Sequence, residues 1–336
     1  MRFGIWTPLP HTLVPEPRMQ AAIVDASETG RGHGPDAATQ FAIDVVTRAE
    51  SAGFDMTLIA ARHLGPDLEA WTLATALAMR TRTMELMVAA HPGIIHPQMV
   101  AKMGASLDRI SGGRLAVNVV NGWNVAEFGI FGNGAWLPEL EDRYRRMDEF
   151  IRVLRGLWTQ DSVSFDGRFY KVEAGSLPLK SRRAPCPPIY TASRSAEGKR
   201  TIAQFGDHWF VPDRGDFRLA QETLSLMRAE IAAMNALAAE RGRRIGYGLS
   251  AHVVCAPTLT QAEARAEDLE AHGRTARYNK SSVAGLGACL VGTPELIADR
   301  IRAYEDVGIG LMLLQFHPMQ EGLETFISEV LPLLGR

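Results

Sequence analysis

The residues of this chain best placed to do chemistry are a buried amide, three histidines and a pair of serines. Asn118 stands inside the apolar run 115–120 (LAVNVV), where an amide without a partner costs about 1 to 3 kcal/mol. Its side chain therefore meets either a polar ligand or the backbone of a neighbouring strand. The run empties into the polar Asn121-Gly122-Trp123-Asn124, as a strand does when it ends at a site. His91, His252 and His317 sit at predicted strand ends, and an imidazole there can serve as acid, base or oxyanion stabiliser because it titrates near neutral pH. Nine histidines in the chain dilute that signal, and each of the three is also readable as a packed or surface imidazole. A metal site from His63, His91 and His252 is conceivable, but there is no i,i+4 histidine pair and little carboxylate beside them in sequence, so no metal is expected.

Ser193-Arg194-Ser195 follows one predicted strand and opens a predicted helix. Hydroxyls, a guanidinium and the free N–H groups of a helix N-terminus together favour an anion such as phosphate, whereas a serine N-cap alone is the plainer account. Arg143-Tyr144, at the head of another helix, offers a cation and an aromatic ring, and on spacing alone reads as a solvated helix face. Trp6, Trp71, Trp123 and Phe128 either line a pocket for a planar cofactor or pack in the core. Cys186, Cys255 and Cys289 are far apart and odd in number, which argues against a disulfide framework and for reduced, structural thiols.

These groups need a frame, and the chain supplies short apolar strands alternating with helical patterns. Strands are expected at 2–5, 56–60, 84–90, 115–120, 189–191, 208–211, 247–255 and 311–314. Helices are expected at 36–52, 68–79, 98–110, 143–158, 196–205, 216–241, 261–271, 294–307 and 323–334. The alternation predicts an α/β protein, a (β/α)8 TIM barrel with insertions forming one domain over 1–336. A doubly wound open sheet is the alternative, and the lack of a GxGxxG after the first strand counts against it. On a barrel, polar residues just past each strand share one rim, which gathers Arg62, His63, His91, 118–124, 193–195, His252 and His317. Within 159–188 the alternating VSFDGRFYKV predicts an inserted β-hairpin turning at Asp166-Gly167. The segment 273–290, aperiodic and rich in small residues, is expected to be a mobile lid loop.

With 336 residues, 46% hydrophobic and 22% charged, and a net charge of −2, the chain has the balance of an ordinary soluble enzyme and no sign of nucleic-acid or membrane binding. No apolar segment reaches membrane-spanning length, and MRFGIWTPLP lacks the basic-then-apolar order of a leader, so the cytoplasm is the expected compartment.

Two stretches, MVAAHPGIIHPQMVAKMGASLDRISGGRLAVNVVNGWNVAEF and DRYRRMDEFIRVLRGLWTQDSVSFDGRFY, resemble the bacterial luciferase-like, flavin-dependent monooxygenases. The likeness runs from Phe3 to Leu334 and is nearest to the branch holding alkanesulfonate, dimethyl sulfone and pyrimidine monooxygenases. It implies a TIM barrel that uses O2 and FMN as FMNH2, delivered by a separate NAD(P)H:flavin reductase, and it implies a homodimer or tetramer. Carried over by position, it implies that Asn118 and Glu127 contact the flavin, with Ala61 and Arg62 near the isoalloxazine. Arg143, Tyr144 and Ser195 fall on the phosphate side, where Ser193 joins them from the serine cradle. His252, in GLSAHVV, matches the active-site histidine of the alkanesulfonate enzymes, while Ser250 stands where those have arginine and His317 where they have tyrosine. His63 falls near the active-site histidine of the luciferases. Trp6, His63, Trp123 and Ser250 are then expected around the substrate, with His252, His317 and His91 as the proton-handling groups. The implied reaction is oxygenation of a small organosulfur compound, sulfonate or sulfone, through a flavin peroxide with C–S cleavage. Oxygenation of a nitrogen heterocycle or amide, and flavin binding without catalysis, are the alternatives.

Overall fold

The computed structural model describes residues 1–10, 36–65, 67–122, 124–275 and 283–336. In chain order its strands are β1 (Arg2–Trp6), β2 (Met56–Ile59), β3 (Glu85–Ala90), β4 (Leu115–Val119), β5 (Val163–Asp166), β6 (Lys171–Gly175), β7 (Ile189–Ala192), β8 (His208–Phe210), β9 (Gly246–Cys255), β10 (Val291–Gly292) and β11 (Leu311–Phe316). Eight of them close a parallel barrel in the order β1-β2-β3-β4-β7-β8-β9-β11, and β11 returns to β1 with Gly4 opposite Leu313. This is the expected (β/α)8 barrel rather than an open sheet. The pair β5–β6 is antiparallel and separate, and β10 adds to the end of β9. Among the described residues no helix is long and apolar enough to cross a membrane.

Strand alternation sorts the side chains. Leu311 and Leu313 belong to a lumen cluster with Met56, Leu58, Met87 and Ala116, whereas Met312, Leu314 and Phe316 pack in the larger cluster beneath the helices. Burial on both faces is why the barrel strands read as nearly continuous apolar runs. The lumen also holds Tyr190, stacked on His208 with ring centroids 4.2 Å apart and planes 8° from parallel, and Phe210 beyond them. β9 makes room for these rings by carrying glycine, because a Cβ at Gly246 would lie 2.2 Å from His208 Nδ1 and one at Gly248 would lie 2.8 Å from Phe210 Cε1. Below the rings, Glu85 pairs with Arg2 at 2.7 Å and with Arg183, which seals the N-terminal end.

Four expectations change. The strand expected at 311–314 continues through Gln315 and Phe316. The helix expected at 323–334 is instead Met319–Thr325, a π turn Phe326–Val330 and a 3-10 turn Pro332–Leu334, since Pro332 has no N–H to continue an α-helix. A short helix, Val125–Ile130, capped by Asn124, follows β4 where none was expected. Finally, residues 276–282 of the expected lid 273–290 lie outside the described residues, but the rest is not surface loop. The helix Leu259–Thr275 covers its start, and Gly285–Ala288 is a buried 3-10 turn whose Leu286 packs with Phe217, Val254 and Leu269. Small residues that look like a loop in sequence let that turn press against β9, where a Cβ at Gly285 would reach 2.8 Å from the His252 backbone nitrogen.

Gly246→Val should displace the His208 ring and overpack the lumen, costing about 1 to 3 kcal/mol and lowering the thermal midpoint by several degrees in a calorimetric scan.

Candidate active site

The site is assembled from the ends of the barrel strands at the C-terminal mouth. Asn118 lies on β4 with the inward parity of Ala116, is 8% exposed, and its Oδ1 has no hydrogen-bond partner. Three residues on, both amide atoms of Asn121 are likewise buried and without a hydrogen-bond partner among the described residues. Buried amides are ordinarily paired, so such atoms are candidates for contact with a ligand.

On the β2–β4 side, Asn124 accepts from the Ala126 N–H at 3.2 Å and starts the short helix that carries Glu127. Glu127, 2% exposed, lies 3.2 Å from Arg62 Nε and accepts the His63 N–H at 3.2 Å. A charge this deep requires such partners. The His63 ring stands edge-on to His91 at 5.5 Å and tilted against Phe131 at 5.5 Å, and its Nε2 is buried without a partner. Burial lowers the His63 pKa, Glu127 and Glu69 oppose that, and Arg62 adds to it, so the net shift is downward and the ring is neutral at pH 7. Ala61 is buried beside this group.

On the β7 side, Ser193, Ser195 and Tyr144 come together. The Ser195 N–H donates to Ser193 Oγ at 3.1 Å, Ser195 Oγ caps the helix Ala196–Phe205 by accepting from Gly198 N–H at 3.1 Å, and the Tyr144 and Ser193 hydroxyls are in direct hydrogen bond. Gly198 is held at close approach: a Cβ there would be 2.0 Å from Ser193 Oγ and 2.6 Å from Tyr144 Cε1. Hydroxyls and a positive helix end make an anion cradle. Arg194 turns outward, donating to the Asp213 carbonyl at 3.0 Å, and Arg143 lies over the Trp136 ring at 4.7 Å. A cavity of about 260 Å3, lined by Ser193, Arg194, Phe210, Asp213 and Ser250 among others, joins this cradle to the mouth.

On the β9–β11–β1 side, Trp6 Nε1 donates to Ser250 Oγ at 3.0 Å, and His252, 1% exposed, follows Ser250 on the same face of β9. His317 is set apart, past the end of β11, in a cavity with Arg265, Asp268, Leu269 and Glu321. Trp123 lies outside the described residues, and Trp71 belongs to the core. Burial pushes the thiols of Cys186 and Cys289 up and that of Cys255 up to about 11, as befits packed rather than reactive sulfur. Among the described residues no group of three His, Cys, Asp or Glu is placed to hold a metal ion. Sequence reading missed Gln315, buried at the mouth with neither amide atom partnered, although the cue was the one that singled out Asn118, a carboxamide within an apolar strand run.

A parallel barrel with buried amides at its C-terminal mouth, and serine hydroxyls at the start of the helix after β7, sets a candidate site on the rim where barrel enzymes bind their ligands. Residues 19–310 match the family model described as luciferase-like monooxygenase. The FMNH(2)-dependent dimethylsulfone monooxygenase of Pseudomonas putida is 32% identical over 319 residues, covering 85% of each chain. Among solved structures, the EDTA monooxygenase EmoA from Chelativorans sp. BNC1 superposes with a TM-score of 0.78 at 21% identity, covering 100% of this chain and 93% of its own. DmoA from Hyphomicrobium sulfonivorans gives a TM-score of 0.75 at 18% identity, with 99% and 87% covered. The chain belongs to the luciferase-like monooxygenase family.

The His63 shift carries a sign. A folded-state pKa below the ordinary value of about 6.5 makes its contribution to stability full above about pH 6.5 and lost as pH falls through the folded value. Histidine-resolved NMR titration should place His63 below free imidazole, and Glu127→Gln, which removes the opposing charge, should move it lower still.

Proposed function

We propose that this protein is an FMNH2-dependent monooxygenase of a small organosulfur compound, uncharged and sulfone-like, using O2 and flavin delivered by a separate NAD(P)H:flavin reductase. The observation that carries the substrate reading is the Trp6–Ser250 hydrogen bond, which sets a neutral hydroxyl where the alkanesulfonate enzymes that the chain resembles have an arginine. With no guanidinium at that point of the wall, an anionic sulfonate loses its natural counter-ion there, whereas a sulfone needs none. The 32% identity to a dimethylsulfone monooxygenase supports the same class.

The residues present fit FMN. Ser193, Ser195 and Tyr144, with the N-terminus of the helix Ala196–Phe205, would hold its phosphate, and the unpartnered Oδ1 of Asn118, with Glu127 and Arg62, would meet the polar edge of its ring. When bound, the reduced flavin supplies the electrons that activate O2. The chain orients the substrate and excludes water with Trp6, Leu58 and Phe210, side chains of the lumen. His252, enclosed at the mouth, and His91, beside neutral His63, are the groups that hold or pass a proton. His317, in its separate cavity beside Asp268 and Glu321, is the weaker candidate for that role. Insertion of one oxygen into a methyl group of dimethyl sulfone gives a hydroxymethyl sulfone. This collapses to methanesulfinate and formaldehyde while the second oxygen atom leaves as water and FMNH2 becomes FMN.

With FMNH2 and dimethyl sulfone, formaldehyde should form one for one with substrate consumed; peroxide alone across a panel of sulfones and sulfonates removes the substrate assignment. Asn118→Leu should weaken FMN binding about tenfold or more in a fluorescence titration, the equivalent of a lost buried partner, and an unchanged affinity makes Asn118 structural. His252→Ala should lower kcat while leaving FMNH2 affinity intact, and full turnover removes it from proton transfer.

A further inference from the structure

Gln315 is the one polar side chain in β11, LMLLQF, and it is 4% exposed, with neither Oε1 nor Nε2 hydrogen-bonded to any of the described residues. Its direction follows from its strand: Leu311 and Leu313 point into the lumen, so Gln315, two residues on, points into the mouth above them. It stands opposite His252 on β9. On the other side the register that pairs Leu313 with Gly4 and Leu314 with Ile5 brings it level with Trp6, whose indole is bonded to Ser250. A leucine here would extend the lumen cluster and leave nothing unsatisfied, so for stability alone glutamine is the poorer residue. Leaving a donor and an acceptor both unpaired is sustained where a ligand completes them.

We propose that Gln315 is a substrate-reading residue: its Nε2–H donates to an oxygen of an uncharged substrate, and its Oε1 accepts from any N–H or O–H that the substrate carries beside that oxygen. This rests on the monooxygenase reading above and sharpens it, because a carboxamide recognises a neutral acceptor oxygen rather than a full negative charge. A sulfonyl oxygen and an amide carbonyl share that chemistry. They differ in that a secondary amide also carries the N–H that Oε1 can take.

The test uses FMN-loaded full-length protein, wild type, Gln315→Leu and Gln315→Glu, with dimethyl sulfone and N-methylacetamide as probes. Three quantities are read: thermal midpoint without probe, FMN affinity, and probe affinity by equilibrium dialysis, which needs no turnover. Gln315→Leu is expected to melt at or above the wild-type temperature, to bind FMN within about twofold of wild type, and to bind the preferred probe about tenfold or more weakly. Where a probe is turned over, KM should rise by that factor with a smaller change in kcat. Gln315→Glu, which keeps an acceptor and loses the donor, should fail with dimethyl sulfone as Gln315→Leu does. Tighter wild-type binding of N-methylacetamide than of dimethyl sulfone assigns Oε1 a part and favours the amide class; the reverse favours the sulfone. A lower melting temperature with unchanged probe affinity makes Gln315 structural and overturns the proposal, as does a large loss of FMN affinity with probe binding intact. Wild-type binding of neither probe also overturns it. Binding without oxygenation, sensitive to Gln315→Leu, overturns the reaction assigned above and leaves Gln315 as the reading residue.

Discussion

The pairing of β8 with β9, His208 opposite Gly246, Trp209 opposite Tyr247 and Phe210 opposite Gly248, is the contact on which everything else depends. It closes the sheet, and once the sheet is closed the two-residue period of every strand assigns each side chain to the lumen or to the helix layer with no third choice. Asn118, Ser250, His252 and Gln315 converge on one mouth for that reason alone. The closure is sterically narrow, because the rings of His208 and Phe210 occupy the volume that side chains on β9 would need, and glycine at two alternate positions is what admits them.

The two ends of the barrel are built on opposite principles. At the N-terminal end the charges find one another: Glu85 is shared by Arg2 and Arg183, and buried Tyr190, its hydroxyl pushed up to about 12 by burial, lies against the same group. That end is satisfied and contributes a plug. At the C-terminal end the polar groups of Asn118, Asn121 and Gln315 are enclosed with atoms that no group among the described residues completes. A protein selected for stability alone would place apolar residues there, and this cost falls at the mouth proposed to hold flavin and substrate. The arrangement around Glu127 shows the same economy on a smaller scale, since one carboxylate both holds Arg62 and fixes the His63 backbone, while burial keeps the His63 ring neutral.

Much of this was legible in order along the chain. Alternating strand and helix patterns gave the barrel, an amide within an apolar run singled out Asn118, and serines at a helix start pointed to the cluster in which the Tyr144 hydroxyl meets Ser193. Gln315 carries the same cue as Asn118, but a strand expected to end at Leu314, two residues short of its observed end, leaves it outside the apolar run. The small residues of 285–288 misled in the other direction, since composition cannot distinguish a loose loop from a turn pressed tightly onto a strand.

By itself, the sequence determined whatever depends on neighbours in the chain: the alternation of strands and helices, the serine cap at Ser195, and the family likeness carried by contiguous blocks. The tertiary structure decided what depends on distant residues meeting. Trp6 reaches Ser250 across 244 positions, His63 finds Glu127 across 64, and Arg143 turns to Trp136 while Tyr144 beside it turns to Ser193. Adjacent residues on a helix point about 100° apart, and barrel register joins residues according to how strands lie side by side rather than how they follow one another. The chemistry of each residue was therefore readable from its type, but its partner was a property of the closed barrel.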